Sequence, residues 1–189
     1  MTVWFWADPH IGHANIVRLC DRPYGDVEEM NEALLENYNS VVKPTDSAYW
    51  LGDIALGKIA ETLPLVGLFN GYKLLVPGNH DRIFSGEKQK SIDRFLPEYS
   101  KVFQQILPEV TTFTAGKRTI LLSHFPYQGD HTENDRHVDK RPVNRGLPLV
   151  HGHIHGLRKT EGRMLNCGVD VWDYRPVSLD EIIAWMETL

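Results

Sequence analysis

Three histidines alternate in the stretch VHGHIHG, residues 150–156. In an extended segment, side chains two residues apart point to one side. His151, His153 and His155 can therefore share a face. Gly152 and Gly156 accept backbone conformations closed to other residues, and they let a neighbour come close. Crowded imidazoles repel one another when protonated, whereas a metal ion holds them neutral and draws them together. The stretch is internal and interrupted, so it is no affinity tag. Alone it leaves two readings open, a metal site and a histidine-rich surface turn.

Residues of the same kind recur where apolar runs stop. TVWFWA (2–7) reads as a buried strand and gives way to DPHIGH (8–13). AYWLGD (48–53) ends in an acid, and YKLLVPGNHD (72–81) ends in Asn79, His80 and Asp81. The run at 117–122 leads into SHFPY, and LPLVHGHIHG exits into the alternating histidines. Strand ends on one edge of a sheet are where α/β folds gather their chemistry. A single such exit is ordinary; five in succession carrying only Asp, Asn and His make a pattern.

Helical patterns lie between the exits. One helix starts near Gly12 and ends before Pro23. Asp26 can cap a second, roughly residues 27–42, with Met30, Leu34 and Val41 as its apolar stripe. A helical piece at 59–69 is divided by Pro64 and stopped at Asn70-Gly71. Residues 109–114 and 117–122 read as a hairpin, and 163–172 as a late strand. SLDE (178–181) is a capping box for a final helix containing Ile182, Ile183 and Trp185. With no repeat, linker or low-complexity segment, residues 1–189 read as a single domain of α/β class.

The 189 residues suffice for one substantial core, and 42% hydrophobic with 24% charged residues is an ordinary globular composition. A formal net charge of −5 disfavours a protein that coats DNA or RNA, though not one that holds a small anion locally. The apolar run at 3–7 is too short for a signal-peptide core or a membrane span, so a cytoplasmic protein is expected. Cys20 and Cys167 form no C-x-x-C pair and read as reduced thiols.

The ordered set Asp8-Pro9-His10, Gly52-Asp53, Gly78-Asn79-His80-Asp81, His124 and Gly152-His153-Ile154-His155 resembles the calcineurin-like metallophosphoesterase superfamily. The signature there runs D-x-H, G-D, G-N-H-D/E, H and G-H-x-H. The opening DPHIGHANIVRLCDRPY is similar to a small, cap-poor branch met in phages and bacteria. The resemblance implies two packed mixed β-sheets flanked by helices, a four-layer sandwich, and a dinuclear site. One ion would take Asp8, His10, Asp53 and His155; the other would take Asp53, Asn79, His124 and His153, with Asp53 bridging. It implies Mn²⁺ first, with Fe, Zn²⁺, Ni²⁺ or Co²⁺ as alternatives that affinity alone does not separate.

The residue types agree with that chemistry. Two divalent ions about 3.5–4 Å apart clamp a phosphate and share a hydroxide that attacks phosphorus. No cysteine belongs to the set, which disfavours a sealed structural zinc site. The resemblance makes His80 the group that assists the leaving oxygen. Asp81 would orient it, the plain alternative for Asp81 being a loop cap. His13 can reach the site, His151 reads as buried support, and His131 and His137 are expected to face solvent.

Asn15, Arg18 and Arg22, spaced i, i+3, i+7, can form one helix face bordering the substrate, or simply a solvated face. Arg136, Lys140, Arg141 and Arg145 lie in the polar segment 128–146 between two ligands; Arg141 and Arg145 are candidate substrate contacts there. That segment is short for a cap, so the site should be open. An open site suits small phosphodiesters, cyclic or short nucleotides. A phosphomonoesterase or a nuclease is the alternative on the same residues, and a non-catalytic metal-binding scaffold the alternative of a different class. The expected partner is a small nucleotide-like phosphoester, with no membrane and no stable nucleic-acid complex.

Overall fold

Short apolar strands alternating with amphipathic helices build two five-stranded mixed sheets. The computed structural model describes residues 1–132 and 134–189. The first sheet holds β1 (Val3–Trp6), β2 (Ser47–Trp50), β3 (Tyr72–Leu75), β4 (Gln105–Ile106) and β10 (Val177–Ser178) in the order β10-β1-β2-β3-β4. The second holds β5 (Val110–Ala115), β6 (Arg118–Ser123), β7 (Leu149–His151), β8 (Thr160–Glu161) and β9 (Met164–Asn166) in the order β5-β6-β7-β9-β8. β1 through β4 run parallel, as do β6, β7 and β9. Antiparallel strands close the remaining edges: β10 beside β1, β5 beside β6 and β8 beside β9.

The strand sequences explain the layering. Neighbouring residues of a strand face opposite ways, so Phe5 joins a core between the sheets while Trp6 joins a core beneath the helices. The inter-sheet core also contains Leu51, Val76, Ile120, Leu122, Val150 and Leu165. The outer core packs Trp6 against Trp50 edge-to-face, ring centroids 4.6 Å apart, with Tyr38 and Phe69 around them. Such aromatic pairs are each worth about 0.5–1.5 kcal/mol beyond their buried area. Trp6 and Trp50 are thus fully buried core residues.

The helices are α1 (Ala14–Leu19), α2 (Val27–Val41), α3 (Ile59–Thr62), α4 (Gln89–Val102) and α5 (Leu179–Met186). Asp26 caps α2 by accepting from Glu29 N at 2.9 Å, and the Ser178–Glu181 capping box opens α5. A 3-10 turn, Leu63–Leu68, begins where Pro64 was expected to divide the helical piece. Two differences stand out. α1 stops at Leu19, before the turn in which Asp21 takes φ +48°, so the helix face expected from Asn15 does not extend to Arg22. Between Asp81 and Glu109, where the sequence signals no element, α4 forms with Pro97 inside it. Phe95, Tyr99 and Val102 of α4 pack on the outer core, and that burial outweighs the proline. Among the described residues no helix is long and apolar enough to cross a membrane, and Cys20 and Cys167 are free thiols.

Candidate metal centre

The C-terminal ends of parallel strands from both sheets meet along one seam. Asp8 and His10 follow β1, Asp53 follows β2, Asn79 and His80 follow β3, His124 follows β6, and His153 and His155 follow β7. Contacts cross the seam between the sheets. His124 Nδ1 lies 3.9 Å from Asp8 Oδ1, and the backbone N–H of His153 donates to Asp8 Oδ2 at 2.9 Å. Asp53 is central: its Oδ2 stands 3.7 Å from His10 Nε2 and 3.5 Å from His124 Nε2. Asn79 Oδ1 is 3.0 Å from His124 Nε2. Ring centroids of His10 and His155 are 5.2 Å apart, and those of His124 and His153 5.1 Å. All seven expected ligands are therefore brought together, in two halves that share Asp53.

The backbone is bent to achieve this. Asp8, His10, Asp53, His153 and His155 all take left-handed φ values, between +46° and +72°. Residues in that region cost about 1–3 kcal/mol each and persist only where the surroundings enforce them. Close approach helps: a Cβ at Gly52, itself at φ +87°, would sit 2.7 Å from His124 Nδ1 and 2.5 Å from Gly78 N. A Cβ at Gly152 would meet Asp8 Oδ2 at 2.6 Å. Asp81 is the clamp. Its buried carboxylate accepts from Asp53 N (3.0 Å), Ile54 N (3.1 Å), Gly78 N (2.8 Å) and the Tyr99 hydroxyl (3.2 Å). This corrects the expectation that Asp81 orients His80. It holds the Asp53 turn against the Gly78 turn, the loop role that was the plainer alternative.

The electrostatics call for a cation. Asp8 Oδ1 and both nitrogens of His10 are buried without a hydrogen-bond partner among the described residues. An unsatisfied buried polar atom costs about 1–3 kcal/mol. Burial pushes the Asp8 carboxyl up to about 6, against the pull of His124 and His155. Burial, and next the His155 charge, hold His10 well below the usual imidazole range. His124 Nδ1 donates to the Leu51 carbonyl at 2.8 Å, so its Nε2 faces the Asn79 and Asp53 oxygens. A second proton or a cation at Nε2 would satisfy that arrangement. Burial alone would lower His124, but Asp53 and Asp8 outweigh it and raise the group. Buried groups of Asp and His here can hold a metal ion: Asp8, His10 and His155 in one, Asp8, Asp53 and His124 in another.

Four residues absent from the expected set complete the surroundings. His155 Nδ1 lies 3.1 Å from Asp170 Oδ2, which follows β9. His153 Nε2 lies 3.3 Å from Asp130 Oδ2, in the segment after β6. Arg136 pairs with Asp130, and Asn166 donates to the His155 carbonyl at 2.7 Å. Asp170 lay hidden inside the run 163–172 read as one late strand, whereas that strand ends at Asn166 and Asp170 sits in the 3-10 turn Val169–Val171; Asp130 had no signal beyond its place between two ligands.

The remaining candidates fall differently. His13 sits at the start of α1 with its ring 5.4 Å from His10. Asn15 and Arg18 are exposed on α1. Arg22 is buried, corrected from substrate contact to a structural cation: it donates to Asp170, to Asp8 O (2.8 Å) and to Pro9 O (2.9 Å). Arg141 turns into its own loop, onto Asp135 and Arg136 O, rather than toward substrate. Arg145 lines a groove with Val110, Leu121 and Tyr127, apart from the histidines. His131 is exposed, as expected, yet its ring borders the centre, whereas His137, also expected to face solvent, is half-buried. The His131 ring is 5.2 Å from both His153 and His155, and the His137 ring is 5.2 Å from Phe125. His151 is buried and bonds the Gly152 carbonyl through Nδ1 at 2.8 Å, as support.

No family model matches the chain. The Gene 66 protein of Mycobacterium phage L5 is 34% identical over 190 residues, 95% of this chain and 91% of that protein. The protein MJ1445 of Methanocaldococcus jannaschii is 33% identical over 187 residues, 98% of this chain and 91% of that one. The crystal structure of AQ665 from Aquifex aeolicus, a protein of unknown function, superposes with a TM-score of 0.76 and 29% identity, covering 97% of this chain and 98% of that one. A phosphopantetheinyl hydrolase from Mycobacterium tuberculosis overlaps only 74% of this chain and 48% of its own, at a TM-score of 0.40 and 16% identity. Fold and site together define an α/β two-sheet protein with a buried Asp/His centre. The chain belongs to the family of the mycobacteriophage Gene 66 proteins and MJ1445.

Proposed function

We propose that the protein is a phosphoric ester hydrolase that uses two divalent ions, and that its substrates are small phosphodiesters such as cyclic or short nucleotides. The observation that carries this reading is the position of Asp53 Oδ2, 3.7 Å from His10 Nε2 and 3.5 Å from His124 Nε2, between two groups of donors. A shared anionic oxygen is what two close cations need. The unpartnered Asp8 Oδ1 and His10 nitrogens fit the same demand. Asp8, His10, Asp53 and His155 would hold one ion, and Asp53, Asn79, His124 and His153 the other. When bound, such a pair supplies Lewis acidity toward phosphate oxygens and acidifies water at neutral pH. Oxygen and imidazole donors without thiolate suit Mn²⁺, the first choice here, as well as Fe, Zn²⁺, Ni²⁺ or Co²⁺.

His80 is the proton donor to the leaving oxygen. Its backbone N–H is fixed to Asp53 Oδ1 at 2.8 Å, its Nε2 stands 3.9 Å from Asp53 Oδ2, and its side chain is 44% exposed. It reaches the site from the open side, where an ester would enter. That openness suits diesters and small monoesters alike, diesters being the first choice here, and the motif order supports the phosphoesterase reading through its resemblance to the calcineurin-like metallophosphoesterases. The test is hydrolysis of a chromogenic phosphodiester beside its monoester by metal-stripped protein reloaded with Mn²⁺, with Asp53→Ala as the blank. Diester turnover lost in the variant is expected. Turnover of the monoester alone would reassign the protein as a phosphatase. Bound metal with no turnover of either would favour the scaffold.

A further inference from the structure

The two ligand histidines of the GHIH turn are held from behind by the same device, built twice from unrelated parts of the chain. Asp170 Oδ2 meets His155 Nδ1 at 3.1 Å, and Arg22 grips Asp170 with two prongs, Nε to Oδ1 at 2.8 Å and Nη2 to Oδ2 at 3.0 Å. Asp130 Oδ2 meets His153 Nε2 at 3.3 Å, and Arg136 grips Asp130 likewise, Nη2 to Oδ1 at 3.1 Å and Nε to Oδ2 at 3.3 Å. Both carboxylates are buried. Two-pronged arginine–carboxylate pairs fix geometry as well as charge. We propose that Asp130 and Asp170 are positioning residues, each tuning the affinity of one ion of the pair, with Arg136 and Arg22 as their anchors. This rests on the two-ion reading above.

Three observations carry the division of labour. The rings are engaged through opposite nitrogens, Nε2 for His153 and Nδ1 for His155, so the nitrogens left for a cation are also opposite. His153 lies with His124, and His155 with His10, in different halves of the centre. Both histidines stand at left-handed φ, +72° and +46°, where the backbone alone does not hold them. The anchors differ as well. Arg22 is buried and also binds the Asp8 and Pro9 carbonyls, so one guanidinium ties His155 to the turn carrying Asp8 and His10. The Arg136 side chain is 42% exposed and lies on the segment after β6. The His155 anchor is therefore tied into the buried Asp8–His10 turn, and the His153 anchor comes from a more exposed segment.

The experiment titrates metal-stripped protein with Mn²⁺ by calorimetry and with Co²⁺ by visible absorption. Two ions are expected for the unaltered protein. Asp130→Asn should weaken one of them about 10–100-fold, the usual cost of losing such a partner, and leave the other unchanged. His153→Ala should remove that same ion, and Asp130→Asn added to it should cause no further loss. Asp135→Asn, which removes the Arg141 partner on the same segment, should change neither ion. Asp170→Asn should weaken the other ion; because it strands the buried Arg22 it can unfold the chain, so the Asp130 arm decides by itself. Two ions bound with unchanged affinities in Asp130→Asn would overturn the proposal and spare the two-ion reading. Equal weakening of both ions would also overturn it. An unaltered protein that binds no ion would overturn both.

Discussion

Replacing Asp81 tests what fixes the Asp53 turn. Its carboxylate takes four hydrogen bonds, two on each oxygen: Asp53 N and Gly78 N on Oδ2, Ile54 N and the Tyr99 hydroxyl on Oδ1. Asp81→Ala strands all four donors in a buried place. At about 1 kcal/mol each, the lower end for such losses, the variant should lose about 4 kcal/mol. Asp81→Asn keeps one oxygen, and its amide nitrogen then faces two backbone N–H groups. Half of the bonds are lost, and removing a charge beside Asp53 offsets part of the loss, so about 2 kcal/mol is expected. Both figures leave a domain of ordinary stability folded. Urea unfolding monitored by tryptophan fluorescence measures them, with metal content determined on the same samples. The Asp53 turn loosens in both variants, so metal retention should fall with stability. If Asp81 only oriented His80, turnover would drop while the urea midpoint and metal content stayed at their original values. That outcome would refute the clamp.

Three further outcomes are expected. His80→Ala should keep both metals and lose about 10²–10⁴-fold in turnover, the usual worth of a positioned proton donor; loss of metal by elemental analysis would place His80 among the ligands instead. Gly52→Ala forces a side chain into φ +87° and against His124 Nδ1 at 2.7 Å; a loss of about 3 kcal/mol from strain and overlap together is expected by thermal or urea unfolding, and a neutral variant would contradict the crowding. Asp46 is held below the usual carboxylate range: burial works against this, but bonds from Thr2 N (2.7 Å), Lys43 N (3.1 Å) and Trp4 Nε1 (3.1 Å) outweigh it. A carboxyl lowered by folding contributes stability that is present above its unfolded value of about 3.9 and lost as pH falls through the folded one. Asp46→Asn should therefore cost roughly 1–2 kcal/mol at pH 7 and progressively less below pH 4, and an equal cost at pH 7 and pH 3 would contradict that linkage.

Much of this arrangement could be read from the chain because local rules and global demands coincide there. Asp26 and Ser178 cap helices as their types suggest, and the apolar runs stop where chemistry begins. The seven Asp, Asn and His residues at strand exits converge because parallel strands end together. The misreadings have physical causes. Spacing carried α1 through to Arg22, but the chain breaks at Asp21, and the guanidinium turns inward to Asp170, 148 positions away. Pro97 signals a stop that the burial of Tyr99 overrides. Asp81, beside His80 in sequence, points the other way, because the Asp53 and Gly78 turns present three N–H groups to it. Asp130 belongs to no spacing pattern; its partner is met only when the segment after β6 folds back.

The chain's route through the sheets sets an order of assembly. β1, β2 and β3 are made first and carry Asp8, His10, Asp53 and Asn79; the chain then builds the second sheet, and only β10 returns to pair with β1. A nascent chain emerging as far as β4 thus has two carboxylates of the centre and one imidazole, with His124, His153 and His155 still to come. The set of seven is thus completed late, by the turn after β7; a fragment ending before β7 keeps Asp8, His10, Asp53, Asn79 and His124 but lacks His153 and His155. The centre as a whole is complete only once both sheets have contributed, and its last members, His153 and His155, come from the second.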